Sequence, residues 1–252
     1  ALFVFNRYEK TKKTINSILL NQESNFSELY VFSDGPKTEE DLKEINKIRK
    51  FIHQLEGFKK ISLFEREENL GLANSIINGV NEVLKEHNTV IVLEDDIVTS
   101  RNFLHYMNKS LNEFIFNYRI FSITGYSFAN EINTNDIYVF NRFMSWGWAT
   151  WKDRWIKINF DYSKDDLPIL NDNKEKINLA GEDLISMYLA QIEGRIDSWA
   201  VRFAVGQCLN QGLTIYPKYS LVKNIGFDNQ ATHTKRFNSI YLTRFHEDFG
   251  PK

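Results

Sequence analysis

The stretch Thr89–Leu93 ("TVIVL") has no polar alternation after its first residue, and Glu94, Asp95 and Asp96 follow it directly. A strand that is apolar on both of its faces belongs in a sheet covered by helices on both sides, the usual setting of parallel strands. The preceding chain fits that requirement. Leu2–Phe5, Leu29–Phe32 and Ile61–Phe64 read as three further short buried strands. Between them lie segments with helical spacing: Ile15, Ile18 and Leu19; then Leu42, Ile45, Ile48, Phe51, Ile52 and Leu55, ending at Gly57; then Ile76, Ile77, Val80, Val83 and Leu84. "SDGP" after the second strand is a turn signal. Strands alternating with helices across short loops predict an α/β fold, a mostly parallel sheet flanked by helices.

Past Ser100 the pattern loosens. A helix is expected around Phe103–Phe114, strands at Phe121–Thr124 and Tyr138–Phe140, and helices around Leu184–Ile192 and Ala200–Leu209. A polar stretch runs from Trp155 through Lys176. Without an internal repeat, a low-complexity tract or an interdomain linker, the expected organisation is one domain over 1–252 with an irregular C-terminal half. The chain opens without Met and directly in a strand, as an excised domain would.

Composition narrows the function. The 252 residues carry a net charge of -2, which gives no reason to expect nucleic acid, whose phosphates select basic surfaces. Cys208 is the only cysteine, which rules out an intrachain disulfide and a zinc site built on several thiolates. No apolar stretch approaches the roughly 20 residues that span a bilayer.

Ligands of open α/β sheets bind at the carboxyl ends of the strands, where Glu94, Asp95 and Asp96 fall. Three adjacent carboxylates raise one another's pKa unless a cation neutralises them. Oxygen ligands suit Mg2+ or Mn2+, held by one or two carboxylates plus phosphate oxygens. One reading is a divalent ion bridging Asp96 to a nucleotide diphosphate; the other is a solvated loop whose charges cap a helix.

Four motifs occur in order: "FNRYEKTKKTINSIL", "VFSDGPK", "ENLGLANSIINGV" and "VLEDDIVTSRNFL". This succession resembles the GT-A glycosyltransferases, in particular the inverting N-acetylglucosaminyltransferase I type and related bacterial family-2 enzymes, over roughly the first two-thirds of the chain. The resemblance implies a GT-A, Rossmann-like fold with a nucleotide-sugar half (1–100) and an acceptor half (101–252). It implies that Asp96 ligates Mn2+ or Mg2+, that Glu94 and Asp95 face the donor's sugar and ribose, and that Arg7 lies near its phosphates. Asp34 matches the acidic residue that accepts from the base, which suits the N3–H of uracil; it is also an ordinary turn former. Asn69 and Gly71 would shape the loop beside the nucleotide.

On the acceptor side, "FMSWGWATWKDRW" gathers four tryptophans. Indole faces stack on sugars, but Trp148, Trp151 and Trp155 are spaced as on a buried helix face, so core packing and substrate contact both remain open. Trp146 and Gly147 are the members favoured for the site, since the similar family segment lies over the donor sugar. Inversion needs a carboxylate that deprotonates the acceptor hydroxyl. Asp197 in "RIDSW" resembles the family's Asp-x-Trp region and is the preferred base, although Ser198 stands where a second acidic residue is often found. Asp183, after Glu182, resembles the Glu-Asp of other members and is the rival. Helix capping explains either one equally well. His233, in a late polar loop, matches a His that completes the metal shell or meets the diphosphate.

The expected activity is metal-dependent, inverting transfer of a sugar (a hexose or N-acetylhexosamine) from a nucleotide donor, UDP-linked by preference, to a glycan or lipid-linked saccharide, as in bacterial polysaccharide biosynthesis. The expected place is the cytoplasm, with peripheral association at the inner membrane face if the acceptor is lipid-linked. The sequence leaves oligomeric state undetermined. A sugar-1-phosphate nucleotidyltransferase is the first alternative, but "FNRYEK" lacks the glycines of such an enzyme's phosphate loop. A catalytically silent carbohydrate-binding module is the second.

Overall fold

A computed structural model describes residues 1–128, 136–226, 245 and 247. The first half alternates as expected: β1 (Leu2–Val4), α1 (Tyr8–Leu19), β2 (Glu28–Ser33), α2 (Glu39–His53), β3 (Lys60–Glu65), α3 (Gly71–Glu86) and β4 (Thr89–Glu94). It closes with β5 (Ile97–Thr99) and α4 (Phe103–Glu113). Then come β6 (Ile120–Thr124), β7 (Ile137–Phe140), β8 (Trp148–Trp151) and the single turn α5 (Lys152–Trp155). The expected polar stretch holds the short helices α6 (Leu167–Asp172) and α7 (Lys174–Asn178). After it follow α8 (Asp183–Ile192), α9 (Trp199–Leu209), β9 (Leu213–Pro217) and β10 (Val222–Asn224).

Eight strands form one sheet in the order β3-β2-β1-β4-β8-β6-β9-β7. β3, β2, β1 and β4 are mutually parallel. β8 pairs antiparallel to both β4 and β6, β9 runs parallel to β6, and β7 is antiparallel to β9. Only β7 and β8 therefore oppose the rest. Two apolar clusters cover the faces. One joins Phe3, Phe32 and α3 to Trp148, Trp199 and Phe203; the other joins Leu2, Val31 and Ile48 to Met107, Leu111 and Trp151. This is the α/β class read from the sequence.

The tryptophan segment departs from its expected shape. Trp148 and Trp151 stand on a strand, where a three-residue separation points side chains to opposite faces. Trp148 stacks on Trp199 (5.0 Å) and Trp155 (5.9 Å). Trp151 enters the other cluster and donates its indole N–H to Leu111 O (3.1 Å). Only Trp155 follows on a helical turn, with its N–H on Asn81 Oδ1 (2.7 Å). These three indoles are core.

Candidate active site

β2 and β3 lie to one side of β1 and β4 to the other, so the chain reverses its direction of winding between β1 and β4. A crevice opens at such a switch point, outside the strand carboxyl ends. Arg7 follows β1 there, and Asp95 and Asp96 follow β4. The Arg7 guanidinium reaches across: Nε and Nη2 donate to the two Asp95 oxygens, and Nη1 donates to Asp96 Oδ2 (2.9 Å). Both aspartates are buried. Burial pushes Glu94 up to about 8, reinforced by the Asp96 and Asp95 charges, and pushes Asp95 up to about 6 against the pull of Arg7. Burial also opposes the Arg7 charge, but Asp95 and Asp96 outweigh it and hold its pKa above the ordinary value. The clustered carboxylates thus demand positive charge, and Arg7 supplies one unit of it.

The turn that carries them is fixed by buried polar groups on α1 and just beyond its carboxyl end. Thr14 Oγ1 donates to Asp95 O (2.9 Å), Ser17 Oγ accepts from Thr99 N (2.9 Å), and Asn21 Oδ1 accepts from Leu104 N (2.9 Å). Buried polar groups keep such partners because losing them costs about 1–3 kcal/mol each. Sequence reasoning found only the apolar side of α1; the i, i+3, i+7 spacing of Thr14, Ser17 and Asn21 was the available signal.

Asp34 is buried at the end of β2. Oδ1 accepts from Gly35 N and Leu70 N (both 3.0 Å), and Oδ2 accepts from Gly71 N (3.1 Å). It therefore ties the β2 loop to the amino end of α3, and three of a carboxylate's roughly four acceptor positions are taken. Asn69 completes the junction, donating to Gly35 O (2.8 Å) and accepting from Gly71 N (3.1 Å). Gly71 has φ +75°, a left-handed conformation that disfavours a side chain.

The β4–β8 register pairs Val92 with Trp148. Continued outward, it carries Gly147 and Trp146 to the level of the β4 carboxyl end. Trp146 is half-buried and meets Tyr126 edge-to-face (5.0 Å). Gly147 (φ +56°) packs where an added Cβ would come 2.8 Å from Val222.

Val222 opens β10, which pairs antiparallel with β5 and returns the late chain to the triplet. Ile225 N donates to Asp96 O (2.8 Å) and Gly226 N to Asn224 Oδ1 (2.6 Å). A Cβ on Gly226 would collide with Asp96 Oδ2 and come 2.9 Å from Asn224 Oδ1. The missing side chain leaves a small cradle bordered by two oxygens, and its donor chemistry fits Mg2+ or Mn2+. Among the described residues no group of three His, Cys, Asp or Glu side chains is placed to hold a metal ion. His233 lies outside the described residues.

The two candidate bases sit differently. Asp183 opens α8 and lines a cleft of about 380 Å³, together with Arg142, Ser145 and Ser198. Arg142 Nη1 and Nη2 donate to its two oxygens (2.6 and 2.9 Å), which holds the Asp183 carboxyl below its ordinary pKa. Asp197 does not line that cleft; its carboxylate pairs with Arg202, which lies over the Tyr162 ring (4.4 Å). Ser198, beside it, caps α9 by accepting from Val201 N (3.3 Å). Arg142, Asn224 and Gly226 are the site residues that sequence reasoning missed. Nothing local in "FNRFM" or "VKNIG" announces them, because Asp183 comes to Arg142 from α8 and Asp96 comes to Asn224 and Gly226 through the β5–β10 pairing.

A family profile described as Glycosyl transferase family 2 matches residues 2–165. Similar solved structures include the mannosyltransferase PcManGT from Pyrobaculum calidifontis in complex with GDP-Man and Mn2+, at 12% identity over 83% of this chain and 68% of that one, with a TM-score of 0.43. S. aureus TarS 1-349 gives 15% identity over 86% of this chain and 57% of that one, with a TM-score of 0.42. Mouse xyloside xylosyltransferase 1 gives 12% over 84% and 82%, with a TM-score of 0.41. No curated protein matches the chain by sequence.

Proposed function

The chain belongs to glycosyl transferase family 2, and from that premise we propose that it transfers a sugar, with inversion, from a UDP-linked donor to a hydroxyl of a glycan or lipid-linked saccharide. The observation that carries this reading is the charge cluster at the switch point, where Arg7 reaches from the end of β1 to Asp95 and Asp96 at the end of β4. A diphosphate needs cations of this kind beside it, and the sheet's carboxyl edge is where a nucleotide lies.

Asp96 and Asn224, around the Gly226 cradle, would hold Mg2+ or Mn2+, which when bound lends positive charge to the departing diphosphate. Arg7 adds a fixed cation on the same side. The fourth acceptor position of Asp34 is directed to the base, and the N3–H of uracil is a donor that suits it. Glu94, Asp95, Trp146 and Gly147 border the sugar, and Asn69 with Gly71 shapes the nucleotide loop. On the acceptor side, Asp183 takes the proton of the attacking hydroxyl. The new bond forms between that oxygen and the anomeric carbon as the bond from the anomeric carbon to phosphate oxygen breaks, and the nucleoside diphosphate leaves with the electron pair. Asp183 is preferred to Asp197 because its carboxylate faces a cleft large enough for a substrate.

Calorimetric titration with UDP, with and without Mn2+, tests the donor half. Parent protein should bind UDP more tightly with Mn2+, and Asp96→Asn should lose the metal-dependent part while melting normally. Equal Mn2+ dependence in the variant would move the metal elsewhere.

A further inference from the structure

The Asp183 cleft has a wall that the chemistry above does not use. Phe140, the last residue of the edge strand β7, is 44% exposed and lines the cleft together with Phe128 and Met187. Phe128 and Tyr216 buttress Phe140 edge-on, with centroids at 6.4 and 6.3 Å. An exposed aromatic ring held from behind and facing an open volume is a platform for a flat apolar surface.

The polar groups of the cleft have a definite character. Arg142 spends both Nη groups on Asp183 and a further contact on Ala180 O (3.3 Å). Its backbone is pinned: Tyr216 Oη donates to Arg142 O (2.5 Å), and Gln207 Nε2 donates to Asn141 O (3.1 Å). Among the described lining residues Arg142 and Asp183 are the only charged ones, and they cancel. A carboxylate or phosphate entering here meets Asp183 with no uncommitted cation to offset it. A hydroxyl can donate to Asp183 without that penalty. The volume, about 380 Å³, is at the lower end of ligand pockets, about 300–1,000 Å³, and suits a single ring. The lining includes Met144 and Ser145, which directly precede Trp146 and Gly147 in the chain.

Resting on the transferase reading, we infer that this cleft is the acceptor subsite for an uncharged pyranose, whose apolar face lies on Phe140 and whose reacting hydroxyl donates to Asp183. Arg142 is a positioning residue here: it fixes the carboxylate and removes the net charge that would otherwise select the ligand.

The test uses saturation-transfer NMR on the whole chain with UDP or GDP and Mn2+ present. The probes are the methyl glycosides of glucose, galactose and N-acetylglucosamine, with methyl glucuronide as the charged counterpart. At least one neutral glycoside should bind, and the glucuronide should bind more weakly. Phe140→Ala should weaken the neutral ligand about tenfold, Phe140→Trp should restore it, and nucleotide affinity should stay unchanged in both. Phe140 is an exposed edge residue, so these variants should fold. Absence of neutral binding, preference for the glucuronide, or indifference to Phe140→Ala would each overturn the inference. If neither nucleotide binds the parent protein, the transferase reading falls and takes this inference with it; normal nucleotide binding with failed glycoside binding removes this inference alone.

Discussion

Asp34 holds a loop together with one carboxylate, and in the proposed site the same group would also accept from the base. Three backbone N–H groups depend on it. Asp34→Ala should therefore have two separable effects. Stability should fall by about 1–3 kcal/mol as those donors lose a buried partner, measured by urea denaturation. Any preference for UDP over CDP should also vanish in competition binding, since cytosine N3 accepts where uracil N3–H donates. A stability loss with preference intact would confine Asp34 to the loop. For the base, Asp183→Asn should lower turnover by about 10²–10⁴-fold with donor affinity unchanged, and Asp197→Asn should change it little; the reverse result would exchange their roles. Arg142 supplies a pH signature. Its hydrogen bond keeps Asp183 ionised to lower pH than an ordinary aspartate, so base form persists on the acid side. Arg142→Gln raises that pKa, and the acid limb of the kcat–pH profile should shift to higher pH. An unmoved limb would separate Arg142 from the proton transfer.

At the scale of elements, the first-half strands and helices were legible because each carries its own signal: apolar runs for β1 to β4 and 3.6-residue spacing for α2 and α3. β8 was not, since "WATW" sets two smaller residues between tryptophans whose spacing also fits a helix, and only its partners β4 and β6 decide the matter. β5 and β10 were missed for a similar reason; three residues each, they exist as strands by pairing with one another. The triplet and Arg7 could be read individually from the sequence, but their contact could not, because it depends on β1 and β4 being neighbours. Trp148 is where β8 anchors one face of the sheet, stacked on two other indoles. Trp148→Ala should cost about 3–5 kcal/mol of stability, read as a lower urea midpoint. A loss under about 1 kcal/mol would mean that the cluster collapses around the gap.

At the scale of the molecule, the sheet passes from the first hundred residues to the rest through the β4–β8 pairing. A fragment of residues 1–100 would leave β4 as an open, apolar edge, and such edges associate with other chains. Expressed alone it should be aggregated by size-exclusion chromatography; a monodisperse fragment with native-like circular dichroism would show that the first half has a core of its own. Chain order and sheet order also part company at the other edge. β7 contacts the sheet only through β9, which is made roughly 70 residues later. At about 5–20 residues per second of synthesis, β7 must wait on the order of several seconds on the ribosome before it has a strand to join. The aromatic wall that ends in Phe140 is thus among the last parts of the protein to be assembled, and a nascent chain stalled before Leu213 would carry its charge cluster complete and its cleft unbuilt.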